Sequence, residues 1–136
     1  MRCFMKKGIR ILSALLFIMV ILAGCSSKPQ LPKTPIVYQH NVGNEYVYLT
    51  AGDKIYVPYC AYKPSMLGEC IGYCDVEATE YSGATREYIY ELKGYSSDEW
   101  IVSVLFAGNF REGMIYRELN ATEIPEGLSS EYEWNQ

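Results

Sequence analysis

From residue 46 onwards the apolar residues of this chain alternate in short runs and do not recur at helical spacing, a pattern that dictates strands. Tyr46 and Tyr48, then Ile55, Val57 and Tyr59, flank Thr50-Ala51-Gly52-Asp53, which predicts two strands around a glycine-aspartate turn. Residues 87–92 (EYIYEL) and 100–106 (WIVSVLF) are separated by a loop composition at 93–99 and read as the central pair. Gly108-Asn109 supplies a further turn, residues 114–119 (MIYREL) a last strand and residues 71–76 one more. Residues 63–72 (KPSMLGECIG) predict a turn of helix or an irregular loop, because Gly68 costs a helix about 1 kcal/mol relative to alanine. The expected fold is mainly β: a small single domain of five to six antiparallel strands, a barrel or a sandwich, over 36–124. The polar, acidic tail 125–136 is expected to fray.

The first 24 residues follow a different logic. Arg2, Lys6, Lys7 and Arg10 form a cationic start, and no acidic residue precedes Cys25. Residues 11–23 (ILSALLFIMVILA) are an apolar run suited to an export signal and shorter than the roughly 18 residues a spanning helix needs. Met5-Lys6-Lys7 would serve as a signal start as well as Met1 does. Leu22, Ala23 and Gly24, an aliphatic residue and two small ones, stand directly before Cys25. Residues 1–25 closely resemble the bacterial lipoprotein signal. The resemblance implies a diacylglyceryl group on the sulfur of Cys25, cleavage just before it, and a chain held by lipid on the extracytoplasmic face of a bacterial membrane. It says nothing of the domain downstream. Two acyl chains suffice for stable anchoring where one does not. Residues 25–35 then form a lipidated terminus and a Pro/Ser spacer, whose composition favours an extended segment reaching about 30 Å.

Charge narrows the partners. Four of the twelve Lys and Arg precede Cys25 and all sixteen Asp and Glu follow it, so the processed chain carries eight cations against sixteen anions, a formal −8. Such a domain has no electrostatic reason to bind nucleic acid or to lie flat on an anionic bilayer. All thirteen tyrosines also follow Cys25. They read either as strand residues suited to half-buried pleated surfaces or as an exposed aromatic face, with Tyr46 and Tyr48 as its members. Trp100 opens an apolar run and is assigned to the core, Trp134 to the exposed tail.

Nothing in the chain predicts an enzyme. Phosphate-loop, GxSxG and HExxH motifs are all missing, and the single histidine, His40, sits beside the spacer as an exposed strand-edge residue. The carboxylate pairs Glu77 with Glu80, Asp98 with Glu99 and Glu131 with Glu133 lie in loop-like stretches, where solvated charge explains them. Cys60, Cys70 and Cys74 leave two readings open, one disulfide with a spare thiol or three free buried thiols. Their spacing is not that of a zinc motif, and neither metal nor cofactor is expected. Two functional readings remain. One is a lipid-anchored binding module for an envelope protein, peptide or glycan; the other is a structural or accessory lipoprotein with no ligand of its own.

Overall fold

The computed structural model describes residues 28–131, so Cys25, the segment 1–24 read as an export signal and Trp134 lie outside the described residues. Seven strands are formed: β1 (Ile36–Val42), β2 (Val47–Ala51), β3 (Lys54–Ala61), β4 (Leu67–Val76), β5 (Thr85–Leu92), β6 (Trp100–Ala107) and β7 (Phe110–Glu118). A 3-10 turn, η1 (Pro64–Met66), precedes β4. The strands close into a barrel in the order β1-β2-β3-β7-β6-β5-β4, every neighbour antiparallel except β1 and β4, which close it in parallel. The mainly β single domain is therefore a barrel. It has one strand more than the sequence pattern predicts, because β1 carries Gln39, His40 and Asn41 between its apolar residues and lacks a clean alternation.

Local chemistry explains the hairpins. Gly52 and Gly108 sit at φ 60° and 61°, the left-handed region that two-residue strand turns demand and that glycine enters without a Cβ clash. The expected helical segment shrinks to η1, after which Leu67 onwards joins the sheet. Pro64 fits the start of a short turn, whereas Gly68 and a strand partner at Leu92 favour extension.

Each strand contributes one buried side chain to a single cluster, Tyr38, Leu49, Tyr56, Cys74, Ile89, Ile101 and Tyr116, and this cluster fills the lumen. Tyr38 and Tyr56 meet edge to face at 5.8 Å, and the Tyr56 hydroxyl donates to the Ser97 carbonyl at 2.7 Å, so the polar tip of a buried ring is satisfied. A second cluster lies on the outer face of β3, β5, β6 and β7, built on Trp100, Val102, Val104 and Ile115. The β3–β4 connection crosses it: Tyr62 lies so close over Gly113 that a Cβ there would strike the ring. Beyond β7 the chain folds back as well. Trp100 Nε1 donates to the Glu123 carbonyl at 3.0 Å, Ala121 and Pro125 are buried, and Leu128 packs into the outer cluster. Glu131 N then donates to the Tyr59 carbonyl at 2.9 Å, at a bulge where β3 slips against β7. The first half of the expected frayed tail is thus a cover for the core. β6 is buried on both faces, Ile101 and Ser103 towards the lumen and Trp100, Val102 and Val104 outwards, and this is why its sequence is continuously apolar.

The seam between β1 and β4 pairs Ile36 with Gly72, Val37 with Tyr73, Tyr38 with Cys74 and Gln39 with Asp75. A Cβ on Gly72 would overlap the backbone of Ile36, so only glycine lets these two strands meet. Gly72→Ala is expected to lower stability by about 3 kcal/mol, the upper range for overpacking a site that cannot yield. Gly83→Ala, with nothing near its new methyl group, should stay within about 0.5 kcal/mol. Urea unfolding of both variants checks this, and an unchanged midpoint for Gly72→Ala would remove the seam from the account.

A pH prediction follows from the buried phenols. Burial raises Tyr38 and Tyr90 to about 12 and Tyr56 further still, from the ordinary 10. Above pH 10 the unfolded chain releases these protons while the folded chain retains them, so unfolding is favoured as pH rises. Their contribution is complete below pH 10 and is lost as pH climbs towards 12. Urea midpoints measured from pH 8 to 11.5 should fall steeply above 10; a flat profile contradicts the burial of these rings.

Candidate functional site

The incoming segment 28–35, the Gly52-Asp53 turn, the 93–99 loop and the chain after Glu118 gather at one rim of the barrel. The loops 43–46 and 77–84 and the Gly108-Asn109 turn form the opposite rim. A cavity runs along the seam to that far rim. It has a volume of about 530 Å3, between β1 from Val37 to Val42 and the chain from Asp75 to Thr79.

The cavity exists because the seam is shorter than its strands. Pairing ends at Gln39 with Asp75, while β1 continues to Val42 alongside β2 and β4 turns to follow β5 through Val76 with Thr85. Residues after Val76 are drawn away by a local turn. Thr79 N donates to the Ser82 carbonyl at 2.8 Å, and the Thr79 hydroxyl accepts from the amides of Tyr81 and Ser82, both at 3.2 Å. Threonine and serine favour such turns by offering the backbone a side-chain partner.

His40 lines this groove and is half-buried, where the sequence places it as an exposed edge residue. Asp75 and Glu77 are the carboxylates of the lining. Asp75 is engaged: Arg86 Nε and Nη2 hold its two oxygens at 2.6 and 3.0 Å, and the same guanidinium lies 4.0 Å over the Tyr73 ring. The hydrogen bonds from Arg86 hold the pKa of Asp75 below its ordinary value, against the opposing effect of burial. Glu77 and Glu80 are exposed, and the ion pair found among the described residues is that of Arg86 with Asp75.

A smaller cavity of about 160 Å3 opens on the lumen side of β5, β6 and β7 and is lined by Glu87, Ser103 and Glu112 among others. Ser103 donates to Glu87 Oε2 at 2.6 Å, so that carboxylate already has a partner. Glu118, almost fully buried, accepts from the Asn120 amide at 2.7 Å and caps the turn after β7. The sequence carries no signal for either role, because both carboxylates occupy ordinary strand positions. Among the described residues, no three metal-binding side chains converge.

The tyrosines do not make an exposed face. Of the twelve described, Tyr38, Tyr56, Tyr59, Tyr88 and Tyr116 are buried, and all others but Tyr81 are half-buried, Tyr46 and Tyr48 included. Tyr81 stands 94% exposed at the far rim, close in sequence to the groove lining. Tyr59 instead packs edge to face on Trp100 at 4.9 Å, within the core to which the sequence assigns that tryptophan.

Comparison with protein-family models, with curated proteins and with solved structures found no match.

All three described cysteines are free thiols. A bulge between Cys70 and Gly72 reverses the alternation of β4, so Cys70 faces outwards with its Sγ near the Gly72 carbonyl while Cys74 enters the lumen cluster. Cys60 belongs to the outer cluster. Four residues apart in a regular strand, Cys70 and Cys74 would share a face, and the bulge separates them. Burial, reinforced by Glu87 and Asp75, pushes the Cys74 thiol up to about 12, and burial raises Cys60 and Cys70 as well. Maleimide labelling of native residues 26–136, whose cysteines are Cys60, Cys70 and Cys74, should be slow at pH 8, with Cys70 first and Cys74 last. All three should label once the chain is unfolded in urea. Rapid native labelling at Cys74 would contradict its place in the lumen.

Proposed function

We propose that this protein is a lipid-anchored extracytoplasmic binding module, tethered to a bacterial membrane through Cys25 and presenting the far rim of its barrel to an envelope partner. The observation that carries this reading is the position of the open groove. The described chain reaches β1 from one rim, and the 530 Å3 cavity, the exposed ring of Tyr81 and the exposed Val42 lie towards the other. A tether joined at the near rim leaves the far rim free to meet a partner, and the extended spacer adds reach. The processed charge of −8 favours a stand-off from anionic headgroups, in keeping with contact through the far rim and not along the bilayer.

A bacterial host fed an alkyne fatty acid tests the anchor, and a photo-crosslinking residue tests the rim. The full-length chain is expected to take up the label and sediment with membranes, whereas Cys25→Ala does neither. In native membranes a crosslinker at Tyr81 is expected to capture a reproducible partner that one at Asp53, on the near rim, does not. Absence of label on the full-length chain overturns the anchor. Capture at Asp53 with none at Tyr81 overturns the presented face, and no capture at either favours an accessory lipoprotein that acts by position alone.

A further inference from the structure

The groove ends in a strand edge without a neighbour. Gly43 N donates to the Tyr46 carbonyl at 3.0 Å, which makes these two a hydrogen-bonded pair across the β1–β2 hairpin. Bonded and non-bonded pairs alternate along an antiparallel ladder, so Asn41 with Tyr48 and Gln39 with Thr50 bond towards β2. The backbone of Tyr38, His40 and Val42 therefore turns the other way, towards the seam. Tyr38 is matched there by Cys74, but the pairing stops at Gln39 with Asp75. Among the described residues no backbone hydrogen bond joins 77–79 to β1. The His40 carbonyl and both backbone groups of Val42 face the groove, and the Val42 side chain beside them is 79% exposed.

We propose that this edge is a strand-addition site for an extended cationic peptide segment, which enters the split seam, pairs with the backbone of His40 and Val42, and sets its lysine or arginine side chains against Glu77 and Glu80. The proposal rests on the binding-module reading and names its ligand class. Backbone pairing supplies affinity in such a mode, and side-chain pockets and charges supply selectivity. An unprotected edge is a hazard that folds ordinarily blunt with lysine, proline or a bulge, and residues 40–42 hold none of these. The choice of a cationic occupant follows from charge. Asp75 is neutralised by Arg86, whereas Glu77 and Glu80 form no ion pair among the described residues, and Glu45 stands exposed in the neighbouring 43–46 loop. A second copy of this chain fits poorly, since edge-to-edge pairing would bring those carboxylates onto their own counterparts.

The test uses fluorescein-labelled hexapeptides in which valine alternates with lysine, glutamate or serine, together with a lysine peptide N-methylated on alternate amides. Binding to the processed chain carrying Cys25→Ser is read by anisotropy at low salt. The lysine peptide is expected to bind at least tenfold more tightly than the glutamate peptide, and N-methylation should abolish binding. Val42→Pro removes the amide that faces the groove while leaving the β2 pairing intact, and should weaken the lysine peptide at least tenfold. Glu77→Lys, an exposed substitution that needs no repacking, should reverse the preference between lysine and glutamate peptides. Circular dichroism confirms that both variants fold. Failure of the lysine peptide to bind, or binding indifferent to both substitutions, overturns the proposal. So does a concentration-dependent dimer, seen in sedimentation, that Val42→Pro abolishes, because a second copy then covers the edge. If the peptides fail while the crosslinker at Tyr81 still captures a membrane partner, strand addition falls and the binding-module reading stands.

Discussion

The parallel contact between β1 and β4 is the interaction on which the rest of the molecule depends. Without it the sheet would be an open, twisted layer with two exposed edges, and the residues of the lumen cluster would have nothing to enclose them. It rests on four residue pairs and on the missing side chain of Gly72, which lets the backbone of Ile36 approach. Parallel pairs need a long connection between them, here everything from β2 to η1, so the seam forms only after distant parts of the chain meet.

A domain of this size has little interior, and it compensates by burying one strand twice. β6 packs Ile101 and Ser103 into the lumen and Trp100, Val102 and Val104 beneath an outer cover made from the β3–β4 connection and the segment after β7. Each fully buried aliphatic side chain contributes about 1.5–3 kcal/mol, so a strand wetted on one face would forfeit much of the stability of a small domain. The tyrosines serve the same end. Their rings line both clusters, and a long ring that reaches the barrel rim, as Tyr56 does towards Ser97, buries its body and still satisfies its hydroxyl.

The same seam that closes the barrel also opens the groove. Glycine permits close approach at one end, while the Thr79–Ser82 turn draws the chain away at the other, and the gap between these two local preferences is the cavity. Its chemistry is set by which carboxylates find partners inside the domain. Glu87 and Glu118 are hydrogen-bonded and Asp75 is held by Arg86, whereas Glu77 and Glu80 are exposed and form no ion pair among the described residues.

The sequence by itself determined the class of fold. Alternating apolar residues, the glycines at 52 and 108 and the doubly apolar run of β6 placed most strands and the hairpin turns, because these signals arise from neighbours along the chain. Only the tertiary structure decided the closure through β1, the role of Gly72, the docking of 125–131 through Pro125 and Leu128, and the separation of Cys70 from Cys74. Each of these depends on a partner that is remote in sequence. A glycine admitted for close approach reads like any other glycine, and a single bulge inverts a face without altering composition. The groove belongs to the same group: nothing in residues 36–42 or 75–79 alone indicates that two strands begin side by side and then part.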